Sequence, residues 1–219
     1  MTPAVPAWLT AASIIWLAAA LASALYMFVA VFRRPMMPIM RAVWPINALY
    51  LGPFAVWAFH SVAHDHVHVT TERMWKSVLK ATLHCGAGCT LGDVVAETTV
   101  FLLGIEVVGR AIWAEYPADY ALAFLFGIGF QYFTIAPMRG LGVRDGIVAA
   151  LKADTLALTA FEIGLFGWMA VMAFVLFQPP LRPDRVEYLG LMQLGMALGF
   201  LTSYPMNWWL VRHGLKERM

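Results

Sequence analysis

Charge is what this sequence has least of. Only 13% of its 219 residues are Asp, Glu, Lys or Arg, against about 25% in soluble domains. The net charge of +2 excludes a strongly basic nucleic-acid surface. Cysteine is nearly missing too, and two residues cannot build a disulfide framework. The first residues lack the basic region and early cleavage signal of a secretory peptide, so the first apolar run is expected to stay as a span. Alternating ten-residue strands are also missing, which argues against a membrane β-barrel.

What remains is hydrophobic. Such residues make up 61% of the chain, and the mean hydropathy is +0.71. Runs long enough to cross a bilayer, about 20 residues each, fall at 8–32, 42–60, 89–109, 118–138, 154–177 and 188–211. They predict an all-α, polytopic membrane protein of six spans in one domain over 1–219. Proline- and glycine-rich connections such as "AEYPADY" and "QPPLRPDR" separate the spans. Gly86 to Gly92, and Gly190, Gly195 and Gly199, suit close helix contacts. The longest polar stretch is 60–88, in which 71–83 reads as an amphipathic interfacial helix before the third span.

Six spans put both termini on one side. That side holds Arg73, Lys76, Lys80, Arg139, Arg144, Lys152, Arg212, Lys216 and Arg218. The other holds Arg33, Arg34, Arg41, Arg110, Arg182 and Arg185. The excess makes the first side cytoplasmic in a bacterial inner membrane, although Arg33 and Arg34 pull the other way.

The polar residues inside the spans form stripes. Cys85, Cys89, Asp93 and Glu97 recur every four residues, on one face of a helix. Thr155, Thr159 and Glu162 form a second stripe, with Asp154 at its mouth. Ionisable groups within a membrane are costly and default to function. Glu97 and Glu162 are expected at comparable depth, where two acids can hold a cation or relay protons.

His60, His64, His66, His68 and His84 lie between the second and third spans. With Cys85 and Cys89 they supply donors suited to zinc or copper(I). Met36, Met37, Met40, Met74 and Met138 are thioether candidates for copper(I). Small-residue packing and a redox dithiol stay open beside the ligand reading of the cysteines. "HDHVH" reads equally as a solvated loop.

The blocks "KATLHCGAGCTLGD", "IAPMRGLGVRDGIVAALKADTLALTAFEIGLFGWMA" and "LGFLTSYPMNWWLVRHGLKERM" resemble bacterial membrane proteins grouped as domain of unknown function 4396, from about residue 40 onward. The resemblance implies a helical membrane fold and assigns no activity or residue role.

The leading functional expectation is a membrane protein, not an enzyme, that binds or moves copper(I) or zinc. The histidine-rich connection collects the ion; His84, Cys85 and Cys89 hold it. Asp93, Glu97, Asp154, Thr155, Thr159 and Glu162 form a polar path. Arg139 closes that path by pairing with Asp154 or with an anion. The expected partners are the lipid bilayer, the metal cation, and further copies of the chain or a larger complex. The competing expectations are a redox enzyme using Cys85 and Cys89 with a lipid or quinone, and a non-catalytic scaffold subunit.

Overall fold

The structure, a computed structural model, describes residues 4–62 and 73–216. Its seven α-helices are α1 (Ala7–Ala30), α2 (Met40–Leu51), α3 (Pro53–Val62), α4 (Met74–Leu103), α5 (Ile112–Arg139), α6 (Val143–Val171) and α7 (Val186–Arg212). No strand occurs among the described residues. Among the described residues, four segments are long and apolar enough to cross a membrane: Ala7–Arg33, Met74–Leu103, Ile112–Arg139 and Val143–Leu176. Helix α7 has 27 residues and packs along α6. The protein is a multi-pass helical membrane protein.

The 42–60 run is broken, which corrects the expected second span. Gly52 stands at φ 55°, ψ −132°, and Pro53 brings no N–H, so the helical ladder stops there. With 12 and 10 residues, α2 and α3 are each about 15–18 Å long, half of a hydrocarbon core of about 30 Å. Gly52 rests against Trp16 and Ala20, midway along α1. The following helix then returns. Phe59 packs edge-on against Trp44 at 5.1 Å, and His60 meets Tyr26 and Arg34 near the end of α1. Together α2 and α3 form a hairpin that dips to mid-depth and comes back.

The remaining helices run the full depth of the bundle. Thr10 donates to Glu187 at 2.6 Å, and Ser13 lies against Gly190, so α1 and α7 run parallel. The starts of α1, α5 and α7 share one end, here the apical end; the starts of α4 and α6 share the other, the basal end. The start of α1 and the end of α7 therefore lie at opposite ends, not on one side as six spans require.

The interfacial helix expected over 71–83 is corrected as well. Residues 71 and 72 lie outside the described residues, and from Met74 the chain is one continuous helix to Leu103. Nothing from Met74 onward breaks it, because its glycines are covered by neighbouring helices. A Cβ on Gly88 would strike the backbone of Gly127, and one on Gly92 the backbone of Ala123. Small residues here let α4 and α5 approach to backbone contact. Gly199 plays the same part against Phe161 between α6 and α7, and Gly195 lies under Trp168.

Candidate functional site: a buried polar core

The α4 stripe faces inward along its whole length. Cys85, Cys89, Asp93 and Glu97 are all buried, and the two cysteines are free thiols. From α6, Asp154 and Glu162 are buried as well. Asp93 and Glu162 stand equally far along their helices, counted from Met74 and Val143. Glu162 lies within electrostatic reach of both Asp93 and Glu97. The expected pairing is of Glu97 with Glu162; by this count the residue of α4 level with Glu162 is Asp93, and Glu97 lies one turn further along.

A third helix joins them. Asp119 of α5, wholly buried, lies close enough to act on Asp93 and to feel Glu97 and Glu162. Sequence reasoning missed it because "AEYPADY" read as a connection. The helix starts at Ile112 and carries Pro117 within it. Glu115 and Asp119, four apart, thereby fall on one inward face. That spacing was the available signal.

Polar atoms in this core lack hydrogen-bond partners among the described residues. Both carboxylate oxygens of Asp93, Asp119 and Glu162 do, as does one oxygen of Glu97. Buried polar groups are normally satisfied. Four carboxyl groups buried together cannot all be ionised without compensation. Their charge must be balanced by protons or by a bound cation.

Polar features flank this cluster at both ends. At the apical end a cavity of about 710 Å³ is lined by Glu106, Arg110, Glu115, Arg182 and Tyr188, among mainly apolar neighbours. Glu115 and Tyr188, which line it, also neighbour Glu97, one of the four core carboxylates. Toward the basal end lie Cys89 and Cys85. Asn47 of the α2–α3 hairpin donates to the Leu83 carbonyl at 2.9 Å. Tyr50 donates to Asn47 at 2.5 Å, and its hydroxyl faces Gly86. The hairpin thus brings its own polar side chains to the thiols.

Other predicted residues stand apart. His60 is exposed and bound to Tyr26 and Arg34, away from the cysteines. His64, His66 and His68 lie outside the described residues. His84 is buried, 3.5 Å from Thr134, with Nε2 unpartnered among the described residues. Thr155 and Thr159 donate to carbonyls one turn back on their own helix, and Thr159 meets Tyr120 at 3.0 Å. Arg139 is exposed at the last turn of α5. The partner of Asp154 is instead Lys216, at 2.7 Å. The chain turns back after α7 and delivers an ammonium to a depth that Arg139 does not enter. Among the described residues, no three His, Cys, Asp or Glu side chains are grouped to hold a metal ion.

A membrane-embedded helical bundle with an acidic core is the class that fold and site define. More particularly, the chain belongs to the family described as Domain of unknown function (DUF4396), whose model matches residues 74–216. The match takes in α4 to α7 and ends on Lys216, leaving α1 and the hairpin outside it. No curated protein and no solved structure matches the chain.

Proposed function

We propose that this protein binds and passes a small cation, in the first instance protons, through the carboxylate core of a bundle that crosses the membrane five times. The observation that carries this reading is the convergence of Asp93, Glu97, Asp119 and Glu162 from three helices, buried and without hydrogen-bond partners for most of their oxygens among the described residues. A hairpin entering to mid-depth suits the reading, since broken helices at membrane depth are tolerated where protein or a cavity covers them.

Five crossings also sharpen the orientation. Of the described basic residues, Arg33, Arg34, Arg41, Arg73, Lys76, Lys80, Arg139, Arg144, Lys152, Arg212 and Lys216 fall toward the basal end. Only Arg110, Arg182 and Arg185 fall at the apical end. Eleven against three makes the basal end cytoplasmic. Arg33 and Arg34 no longer pull the other way, because the loop after α1 and the start of α4 share that end. The cavity beside the core then opens outward.

A second reading, copper(I) or zinc as the cation, draws on the two buried thiols one and two turns from Asp93 on the same face of α4. Thiolate with carboxylate suits these ions. The reading needs donors from segments beyond the described residues.

Purified protein in liposomes, with a trapped pH-sensitive dye and an imposed potential, tests the main reading. Glu162→Gln and Asp93→Asn should each lower proton flux at least about tenfold, the scale expected when a positioned proton-transfer group is lost. Flux equal to wild type in both variants would end the reading. Elemental analysis of wild type beside the Cys85→Ser, Cys89→Ser double variant tests the second: near-stoichiometric metal lost in the variant supports it.

A further inference from the structure

Lysines at helix ends normally stretch their stems along apolar surface and keep the ammonium in water. Lys216 does the reverse. After α7 the chain turns at Gly214, φ 68°, and the N–H groups of Leu215 and Lys216 both reach the Leu210 carbonyl, at 2.9 and 3.2 Å. This turn aims the side chain back between α6 and α7, where it is 0% exposed. Its Nζ donates to Asp154 Oδ1 at 2.7 Å and to Asn207 Oδ1 at 2.8 Å.

The surroundings are built, not incidental. Asn207 is fixed through its own amide, which donates to the Ser203 hydroxyl and carbonyl, both at 3.0 Å. Ser203 in turn donates to the Ala157 carbonyl at 2.8 Å and lies 3.9 Å from the Cys85 sulfur. A line of polar contacts therefore runs from Lys216 to the thiols and on toward the carboxylates. Asp154 Oδ2, beside Gly127, has no partner among the described residues. The Asp154 carboxylate, whose second oxygen is still unused, and the Asn207 amide oxygen are oxygen ligands of the kind a small cation takes, and the ion now held between them is the chain's own ammonium.

We infer that Asp154 and Asn207 form a cation-binding position at the basal end of the polar core, and that Lys216 fills it as a tethered cation, closing that end. The inference rests on the proposed cation path, which it deepens: a mobile cation passing this level takes the place of the ammonium, and the segment after α7 moves aside. A buried pair that loses one member leaves an uncompensated charge, so this exchange keeps Asp154 neutralised throughout.

The two native cysteines report on the closure. In detergent-purified full chain, the cationic thiol reagent 2-(trimethylammonium)ethyl methanethiosulfonate should modify Cys85 and Cys89 slowly in wild type, where both are buried. Lys216→Ala should react at least about tenfold faster, the scale expected if a local opening ceases to limit access. n-Butylammonium chloride should slow that variant back toward wild type, and choline chloride should not. The Asp154→Asn, Lys216→Ala double variant, which leaves no bare charge, should react fast whatever amine is added. Wild-type reaction rates in Lys216→Ala, or a rate indifferent to n-butylammonium, would overturn the inference. If Lys216→Ala does not purify as a folded species, Lys216→Met must react faster than wild type for the inference to stand. Labelling requires no transport, so its failure while Glu162→Gln still lowers flux removes this position alone. Unchanged flux in the carboxylate variants removes the path instead.

Discussion

The residues of the polar core divide by whether a partner was supplied. Asp154 has Lys216, whereas the carboxylate oxygens of Asp93, Asp119 and Glu162 have no hydrogen-bond partner among the described residues. Glu187, at the apical start of α7 and outside the deeper core, shows the satisfied case. The Thr10 hydroxyl, foremost, holds its carboxyl below the ordinary glutamate range, with Arg185 adding to the effect. A depressed carboxyl contributes stability that is present above the unfolded-state value and lost as pH falls through the folded one. Thr10→Ala should therefore melt below wild type at neutral pH, with the gap closing as the buffer is acidified past the glutamate range of about 4.3. Thermal melts of both proteins across that range check this. A gap independent of pH would assign Thr10 a packing role only.

At the scale of elements, the α4–α5 contact holds the core in register. Gly92 faces the backbone of Ala123, which cannot rotate out of the way as a side chain could. Gly92→Ala should force the two helices apart and cost about 1–3 kcal/mol, as overpacking does. Gly129→Ala, where no heavy atom stands within 4 Å of the added Cβ, should be neutral or gain up to about 1 kcal/mol in helix propensity. Denaturant titration in mixed micelles distinguishes them. The inward stripe of α4 was legible from its four-residue spacing; on α6 the buried pair is Asp154 and Glu162, two turns apart, while Thr155 and Thr159 are only half-buried. The α2–α3 break was written as "LGP" at 51–53, a turn signal that hydropathy averaged over 42–60 conceals. Pro117 led to the opposite error. Read as a stop, it started the span at 118, which left Glu115 outside and Asp119 at the very edge of a helix that in fact begins at Ile112.

For the whole molecule, one unbroken crossing more or fewer decides which residues share a side. Six crossings put residue 4 with Arg144; five put it with Glu106. Single cysteines placed at Ala4, Glu106 and Arg144 in a Cys85→Ser, Cys89→Ser background separate these arrangements. On intact cells a membrane-impermeant maleimide should label Ala4→Cys and Glu106→Cys, and should reach Arg144→Cys only after permeabilisation. Labelling of Ala4→Cys together with Arg144→Cys would restore an even number of crossings.

Composition and periodicity by themselves determined that the chain is a helical membrane protein with inward acidic and thiol stripes, because the scarcity of charge and the spacing of polar residues are local properties of sequence. Tertiary structure alone decided the rest. It turned the second run back at Gly52, brought Asp119 beside Asp93, and gave Asp154 to Lys216 rather than to Arg139. Those outcomes depend on which helices touch and at what depth, and residues 62 positions apart, such as Asp154 and Lys216, carry no local mark of the pairing.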